Sequence, residues 1–198
     1  MQTEPRPRTR RTRLTPEREA ELYDAVLDLL RELGYDALTM DAIAARTRSS
    51  KATLYRQWNS KPELVARALR HNQPVSPADL DTGSLRGDVQ ILLNSSDDAQ
   101  MEKDTALLRG LAHAVYQNED LHTALRELMI EPEIAEINAM LQRAVDRGEI
   151  AADLPALEWI PQLLIGAFIS RELIWDRPAD KEYLTRFVHA VIFPVLGV

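Results

Sequence analysis

Apolar residues recur at helical spacing in the first third of the chain. Between residues 16 and 33 they fall on one face, as in an amphipathic helix. They are Tyr23, Val26, Leu27, Leu30 and Leu33. Thr15, Pro16 and Glu17 are suited to start this helix, as N-cap, first-turn proline and first-turn acid. Gly34 is suited to end it, because glycine readily adopts the left-handed conformation found after helix termini.

Three short helices are predicted next. Each begins at a hydroxyl residue that can cap a helix, and the third begins with a capping box made by Ser60 and Glu63. Their predicted ranges are 39–47, 49 or 50 to 58, and 60–69, with Ser49 or Ser50 as the cap of the second. No alternation of useful length indicates a strand. The fold class is therefore predicted to be all-α.

Prolines and glycines cluster between residues 71 and 87, which indicates a connector between two units. Helices are predicted beyond it near 85–95, 103–117, 120–130, 132–147, 156–176 and 180–195. Pro132 is expected to open one of them and Gly148 to end it. Pro161 lies inside a strongly apolar stretch, so a kink or a late helix start is expected there.

Composition narrows the class of protein. The chain has 198 residues, no cysteine, 45% hydrophobic and 28% charged residues. These values exclude a disulfide scaffold, a thiolate metal site and wholesale disorder. No apolar run approaches the roughly 20 residues that span a bilayer, and the first 13 residues lack the apolar core of a secretory signal. We expect a cytoplasmic protein without membrane contact.

The charge is unevenly distributed. Residues 1–70 contain 14 Lys and Arg against 10 Asp and Glu, whereas residues 71–198 contain 10 against 21. Residues 1–13 alone hold five arginines and have no apolar periodicity, so they are predicted to form a disordered basic arm. A basic head on an acidic body suggests contact with a polyanion; a merely solvated tail is the alternative.

Residues 39–58 hold two short helices separated by a short break. Helices joined so closely must cross rather than lie antiparallel, as in a helix-turn-helix. The second helix opens with small polar and cationic side chains, which suit base edges and phosphates. The alternative is an ordinary three-helix core with a polar exposed face.

Residues 16–70 resemble the DNA-binding domain of the TetR family of bacterial transcriptional regulators. The resemblance rests on four segments: Gly34-Tyr35, Thr39-Met40-Asp41-Ala42-Ile43-Ala44, Ser50-Lys51-Ala52-Thr53-Leu54-Tyr55-Arg56 and Ser60-Lys61. It implies a DNA-binding domain over 14–73 and a helical ligand-binding and dimerisation domain over 74–198, where no motif is diagnostic.

This sequence departs from the family pattern at the inter-helix turn. Arg48 and Ser49 stand where glycine and an apolar residue are usual. Arg48 must therefore form the turn without the conformational freedom of glycine, or reach DNA. Trp58 replaces the usual phenylalanine and should fill the same core position.

Eight residues are expected to contact double-stranded DNA, seven by the resemblance and Arg48 because of its departure from the family pattern. They are Thr39, Arg48, Ser49, Ser50, Lys51, Thr53, Tyr55 and Lys61. Thr39, Tyr55 and Lys61 are expected at phosphates, and Ser49, Ser50, Lys51 and Thr53 in the major groove. Leu54 and Trp58 are interpreted as core residues, with contact to a thymine methyl group as the alternative for Leu54. The arginine arm could follow the minor groove or remain in solvent.

The last two predicted helices carry more apolar surface than one buried face needs, which favours an intersubunit bundle. The family resemblance also implies a homodimer built from these helices and hence a palindromic operator. The expected interface residues are Trp159, Leu163, Gly166, Ala167, Ile174, Leu184, Phe187, Val188, Val191 and Val195. A wholly intramolecular core is the alternative.

The resemblance further implies a small-molecule pocket among the central helices, with an effector whose identity the sequence does not give. The candidate lining residues are Leu111, His113, Val115, Tyr116, Met129, Ile137, Met140, Leu141, Leu164 and Phe168. Each has ordinary core packing as its alternative, or a structural role in the case of His113.

No metal or cofactor is expected, because the four histidines show no paired spacing. Enzyme motifs such as a phosphate-binding loop or a nucleophile elbow are absent from the sequence. The function expected is that of a homodimeric transcriptional regulator, a repressor released by a small molecule. The alternatives are a protein-interaction module that keeps a vestigial helix-turn-helix and, with less support, an enzyme.

Overall fold

A computed structural model describes residues 14–73, 75–95 and 97–198. The predicted basic arm at 1–13 lies outside the described residues. The α-helices are α1 (Pro16–Ala37), α2 (Met40–Arg46), α3 (Lys51–Gln57), α4 (Lys61–His71), α5 (Leu85–Asn94), α6 (Asp98–Gln117), α7 (Glu119–Leu125), α8 (Glu131–Asp146), α9 (Ile160–Trp175), α10 (Lys181–Phe187) and α11 (Phe193–Leu196). No strand occurs in the described ranges, and the predicted all-α class is confirmed.

The first four helices begin where the sequence predicts. In each, a hydroxyl oxygen accepts a hydrogen bond from a backbone N–H of the first turn, which satisfies a donor that the helix itself cannot pair. The four caps are Thr15, Thr39, Ser50 and Ser60. Gly34 interrupts α1 with φ 73° and ψ 168°, a region nearly restricted to glycine. The chain turns there toward α2.

Two long helices differ from their predicted limits. Helix α6 starts at Asp98, because Asp97 accepts a hydrogen bond from the amide of Gln100 (2.8 Å). The predicted break before Pro132 is wrong. A π-helical turn at Arg126–Ile130 joins α7 to α8 without interruption. Its wider hydrogen-bond spacing accommodates a proline, which cannot donate to the preceding turn.

The two C-terminal helices also contain non-α turns. A 3₁₀ turn at Pro155–Trp159 precedes α9, and Pro161 lies in the first turn of that helix, so the alternative of a late start is confirmed. A π-helical turn at Val188–Ile192 joins α10 to α11. Residues 181–196 therefore form one continuous helix, close to the predicted range.

The helices enclose two hydrophobic clusters. The first joins α1–α4 to α6, from its middle onward, and to α7, through Leu107, Leu111, Leu121 and Leu125. The second is formed by α5, α8, α9 and α10–α11. The first cluster crosses the predicted domain boundary at residue 73, so the N-terminal unit is packed directly against α6 and α7.

Candidate DNA-binding interface and ligand cavity

Helices α2 and α3 form the predicted helix-turn-helix, with the turn at residues 47–50. Arg48 adopts φ 51°, a left-handed conformation that L residues other than glycine seldom adopt. The turn is held by backbone bonds from Arg48 and Ser49 to the carbonyls of Ala45 and Ala44. The Arg18 guanidinium on α1 also donates to the carbonyl of Thr47. Arg48 therefore forms the turn in place of glycine, with its side chain in solvent.

The outer face of α3 is polar and open to solvent. Lys51 and Ser50 are exposed, and Tyr55 is 46% exposed. Ser50 caps the helix, and its hydroxyl lies 2.8 Å from that of Thr53. The opposite face holds Leu54, which is fully buried, so its interpretation as a core residue is confirmed. Helix α3 is thus anchored in the core on one face and exposes polar side chains on the other, where they could contact the edges of DNA bases.

Trp58 completes the core beneath this helix. It is buried, and its Nε1–H donates to the hydroxyl of Tyr23 (3.1 Å), which in turn donates to Glu19 (2.8 Å). The two rings meet edge to face at 5.6 Å. Burial raises the pKa of Tyr23 to about 12, so its phenol stays protonated and able to donate. The core role expected of Trp58 is confirmed.

Lys51 has a partner on the neighbouring helix. Its Nζ donates to Asp41 Oδ2 at 3.0 Å, and both side chains are largely exposed. This hydrogen bond, with the charge of Asp41, raises the pKa of Lys51. The ion pair holds Lys51 beside α2, and contact with DNA would require its ammonium to exchange or share this partner.

Lys61 is engaged in the fold. Its Nζ donates to the carbonyls of Tyr35 and Leu38, each at 2.9 Å, and lies 4.0 Å from the centroid of the Tyr35 ring. Burial lowers its pKa. The ammonium thereby ties the end of α1 to the start of α4. An ammonium has three donors, so one remains for a phosphate oxygen.

The other predicted contact residues differ in exposure. The Thr39 hydroxyl caps α2 by accepting from the amide of Ala42 (3.1 Å). Ser49 is half-buried in the turn, and its hydroxyl lies 3.5 Å from the Thr47 carbonyl. Arg56, which the sequence analysis does not include among the contact residues, is exposed and lies one turn after the exposed Ala52. The i, i+4 spacing from Ala52 could have identified it.

A cavity of about 490 Å³ lies between α4, α5, α6, α8 and the C-terminal helices. Its wall is almost wholly apolar. Six of the predicted pocket residues line it: Met129, Ile137, Met140, Leu141, Leu164 and Phe168. Leu69, Asn72 and Gln73, at the C-terminal end of α4, line it as well. The cavity therefore directly adjoins a helix of the N-terminal unit.

Four predicted pocket residues lie outside this cavity: Leu111, His113, Val115 and Tyr116. The C-terminal half of α6 packs on α1 instead, so Leu111 and Val115 belong to the first hydrophobic cluster. His113 is exposed and Tyr116 is 89% exposed. The cavity is lined instead by the N-terminal half of α6, through Met101, Asp104 and Leu107. The apolar periodicity of α6 shows that both halves are buried on one face, but not that one half packs on α1 and the other lines the cavity.

Polar groups line only one part of the cavity. They are Asn72, Gln73, Asp104 and Glu133. The Asp104 carboxylate accepts from Asn72 (2.8 Å) and from Gln100 (2.9 Å). Burial raises the pKa of Asp104, against the opposite effect of these two hydrogen bonds. Burial also raises the pKa of Glu133, against its hydrogen bond with Gln73. Sequence reasoning missed all four, because single polar residues on amphipathic helices carry no distinguishing pattern.

Helix α9 exposes large apolar side chains on its outer face. Four side chains of α9 are more than half exposed: Ile169, Leu173, Ile174 and Trp175. Trp159, just before the helix, is also more than half exposed. Of the predicted interface residues, Gly166 and Val195 are also exposed. Ala167 and Val188 are buried, and Leu184, Phe187 and Val188 line the cavity. Leu163 and Val191 are half-buried.

No helix among the described residues is long and apolar enough to span a bilayer. No group of three or more His, Asp or Glu side chains in the same ranges could hold a metal ion.

Comparison with known proteins identifies the family. Residues 22–68 match the family model described as bacterial regulatory proteins, tetR family, and residues 79–191 match the tetracyclin repressor-like C-terminal domain. An HTH-type transcriptional regulator of Mycobacterium tuberculosis is 38% identical over 180 residues, covering 90% of this chain and 88% of that protein. The DNA-binding transcriptional repressor TetR of Mycobacteroides abscessus is 30% identical, with coverage of 90% and 94%.

Solved structures agree. The crystal structure of the TetR family transcription regulator SCO0332 has a TM-score of 0.69 at 32% identity, covering 92% of this chain and 98% of that one. Salmonella enterica GusR, at 17% identity and a TM-score of 0.64, shares the fold. The expectation of a DNA-binding regulator rather than an enzyme is confirmed. The chain therefore belongs to the TetR family of bacterial transcriptional regulators.

Proposed function

We propose that this regulator is a homodimeric repressor, acting in the cytoplasm, that leaves a palindromic operator when a small molecule fills the cavity. One observation carries the proposal of ligand control. Leu69 in the last turn of α4, with Asn72 and Gln73 directly after it, forms part of the cavity wall, and Lys61 in the first turn of the same helix bonds the carbonyls of Tyr35 and Leu38 just before α2. A molecule in the cavity touches the same helix that supports the DNA-binding face.

Helix α3 is proposed to enter the major groove. Ser50, Lys51 and Thr53 would meet base edges from its exposed side, and Tyr55 and Arg56 would follow the adjacent backbone. Thr39 and Lys61 would contact phosphates from the starts of α2 and α4. Arg48 and Ser49 would approach the DNA at the turn. The contacts to phosphates would make the binding affinity depend on salt concentration, whereas the contacts to base edges would determine the preferred sequence.

The dimer is proposed to form through α9 and the α10–α11 helix. The apolar side chains of α9 are not confined to one face, and packing within one subunit covers only part of them. The uncovered part includes Ile169 and Leu173, one turn apart, with the small residue Gly166 one turn earlier. A second copy of the chain would cover these side chains and bring two α3 helices to one face.

Contacts between the two units would transmit the state of the cavity. Arg70 on α4 forms an ion pair with Glu136 on α8, and Glu136 also accepts from Ser76 (2.7 Å) in the connector. Arg143 on α8 donates to the connector carbonyls of Pro77 (2.8 Å) and Leu80 (2.7 Å). A shift of α8 on ligand binding would therefore pull on both α4 and the connector.

Selection from a randomised duplex library tests the proposal. Purified full-length protein is incubated with the library at about 150 mM salt, near physiological ionic strength, and bound duplexes are amplified and sequenced. We expect one palindromic site with half-sites separated by about one helical turn. Lys51→Ala serves as the matched variant and should alter the preferred bases within each half-site.

The outcomes separate the candidate functions. A palindrome supports a dimeric sequence-specific regulator and supplies the probe for ligand screening. Recovery of single half-sites would contradict the dimer while keeping base recognition. Recovery of nothing above background, with protein extracted free of small molecules, would contradict operator binding and favour a protein-interaction role.

A further inference from the structure

We propose that the effector is an apolar molecule bearing a positively charged amine, held at the end of the cavity where Asp104 and Glu133 meet the C-terminus of α4. The inference rests on the proposed ligand control and adds the chemical class of the ligand.

The composition of the wall points to this class. Among the described residues that line the cavity, two are acidic and none is basic. The two carboxylates are accompanied by two amides, and every other lining side chain is hydrocarbon or thioether. A buried anionic ligand needs a cation or several donors for compensation, and a fully apolar ligand would leave the polar end unpaired.

The four polar residues form one continuous patch. Asn72 and Gln73 are adjacent at the end of α4; Asn72 donates to Asp104 on α6, and Gln73 is hydrogen-bonded to Glu133 on α8. Asn72 and Gln100 both donate to the Oδ1 atom of Asp104. Among the hydrogen bonds of the described residues, none uses Oδ2, which could therefore accept from a ligand. An ammonium has three donors and no acceptor, so it matches a patch dominated by carboxylate oxygens.

The cations near this patch lie outside the cavity lining. Arg70 acts on Glu133 electrostatically, but its guanidinium is paired with Glu136, a third carboxylate. Arg31 and Lys103 act on Asp104 electrostatically, but neither lines the cavity. Burial without an adequate counter-charge is consistent with the raised pKa values of Asp104 and Glu133. An incoming ammonium would supply the missing counter-charge.

Three probes with the same hydrocarbon chain test the assignment: decylamine, 1-decanol and decanoate. Their binding to the full-length protein is measured by calorimetry at pH 7, below their micelle concentrations and without DNA. We expect decylamine to bind at least about tenfold more tightly than decanoate, with decanol between them. Charge-assisted hydrogen bonds of ordinary strength account for a factor of this size.

Two isosteric variants connect the preference to named side chains. Asp104→Asn and Glu133→Gln should each weaken decylamine binding by about tenfold and strengthen decanoate binding, since each removes one negative charge and keeps the volume. Glu102→Gln, at an exposed position on the same helix as Asp104, is the matched control and should leave both affinities unchanged. A purely structural role would alter the two probes in the same direction.

Other results overturn the proposal. Equal or tighter binding of decanoate, or unchanged decylamine affinity in both variants, contradicts an amine site, and so does failure of decylamine to bind. None of these results affects operator binding, which the library selection measures separately. If decylamine binds but does not release the selected operator, the amine site stands and the proposed ligand control of DNA binding fails.

Discussion

The two hydrophobic clusters differ in how completely helix capping, hydrogen bonding and apolar packing are achieved within one chain. Around α1–α4, every helix has a side-chain N-cap, the central Trp58 is hydrogen-bonded, and the outer face is polar. Around α8–α11, α9 begins without a side-chain cap, two π-helical turns interrupt the regular hydrogen-bond ladders, a large cavity stays open and α9 exposes apolar side chains.

This difference indicates where the fold depends on partners. The N-terminal unit buries its apolar side chains within one chain, and this packing holds α3 in a fixed orientation. The C-terminal unit leaves volume and apolar surface that a ligand and a second subunit would fill. Function is therefore expected to be sensitive to packing in the first unit and to occupancy in the second.

Removing Trp58 should break the first unit most severely. Trp58→Ala is expected to lower the free energy of unfolding by about 3–5 kcal/mol, because it opens a cavity and leaves the Tyr23 hydroxyl without its donor. Chemical denaturation followed by circular dichroism measures the loss. Tyr116→Ala, at an exposed aromatic residue of α6, is the control and should change stability by less than about 0.5 kcal/mol. Equal losses of unfolding free energy in Trp58→Ala and Tyr116→Ala would contradict the special role of Trp58 in the core.

A charge on the outer face of α9 should separate the subunits. Leu173 is 85% exposed, so Leu173→Asp is tolerated within the monomer but buries an unpaired charge in the proposed dimer. We expect a monomer in analytical ultracentrifugation and an operator affinity reduced by about a hundredfold, since two half-sites no longer bind as one unit. Ile91→Asp, on α5, should remain dimeric. A dimeric Leu173→Asp variant would contradict the assigned interface.

The Lys51–Asp41 pair allows opposite changes at the DNA-binding face. Lys51→Ala should weaken the preferred operator by about tenfold and alter base preference. Asp41→Asn should strengthen binding by about threefold, because it frees Lys51 from an exposed ion pair. Fluorescence anisotropy against the operator and shuffled duplexes measures both. If Asp41→Asn weakens binding, Asp41 has a direct role at the interface.

Lys61→Ala distinguishes structure from phosphate contact at one residue. It should reduce stability by about 1 kcal/mol by removing the hydrogen bonds to the carbonyls of Tyr35 and Leu38. It should also reduce the slope of log affinity against log salt by about one, equally for all sequences. An unchanged slope with reduced stability would assign Lys61 to the fold alone.

The smallest effect is expected at Glu133. Its pKa is raised by burial, so the folded state holds its proton more tightly than the unfolded state, and the stability this provides at low pH is lost as the pH rises through the folded value. Glu133→Gln should therefore raise the melting temperature by about 2 °C at pH 7. The difference should vanish below about pH 4, where Glu133 is protonated in both states. A gain that persists in acid would contradict an electrostatic cause.

Local patterns predicted most of the fold, because caps and apolar spacing act within a few residues. Thr15, Thr39 and Ser60 were identified in this way. The joined α7–α8 helix was not predicted, since Pro132 is an ordinary start signal unless a π-helical turn precedes it. The polar end of the cavity also escaped prediction. Its carboxylates belong to helices that lie apart in sequence, and only tertiary packing brings Asp104 and Glu133 to the end of α4.

The continuous helix from α7 to α8 has a mechanical consequence. It spans residues 119–146, hence about 40 Å at 1.5 Å per residue. One end is packed into the N-terminal cluster through Leu121 and Leu125, and the other lines the cavity through Ile137 and Met140. A rigid lever of this length that pivots by about 5° at its middle moves each end by about 2 Å, a shift of the size seen when packed helices switch arrangement. The π-helical turn at Arg126–Ile130 lies between these two packed ends, about a third of the way along the helix.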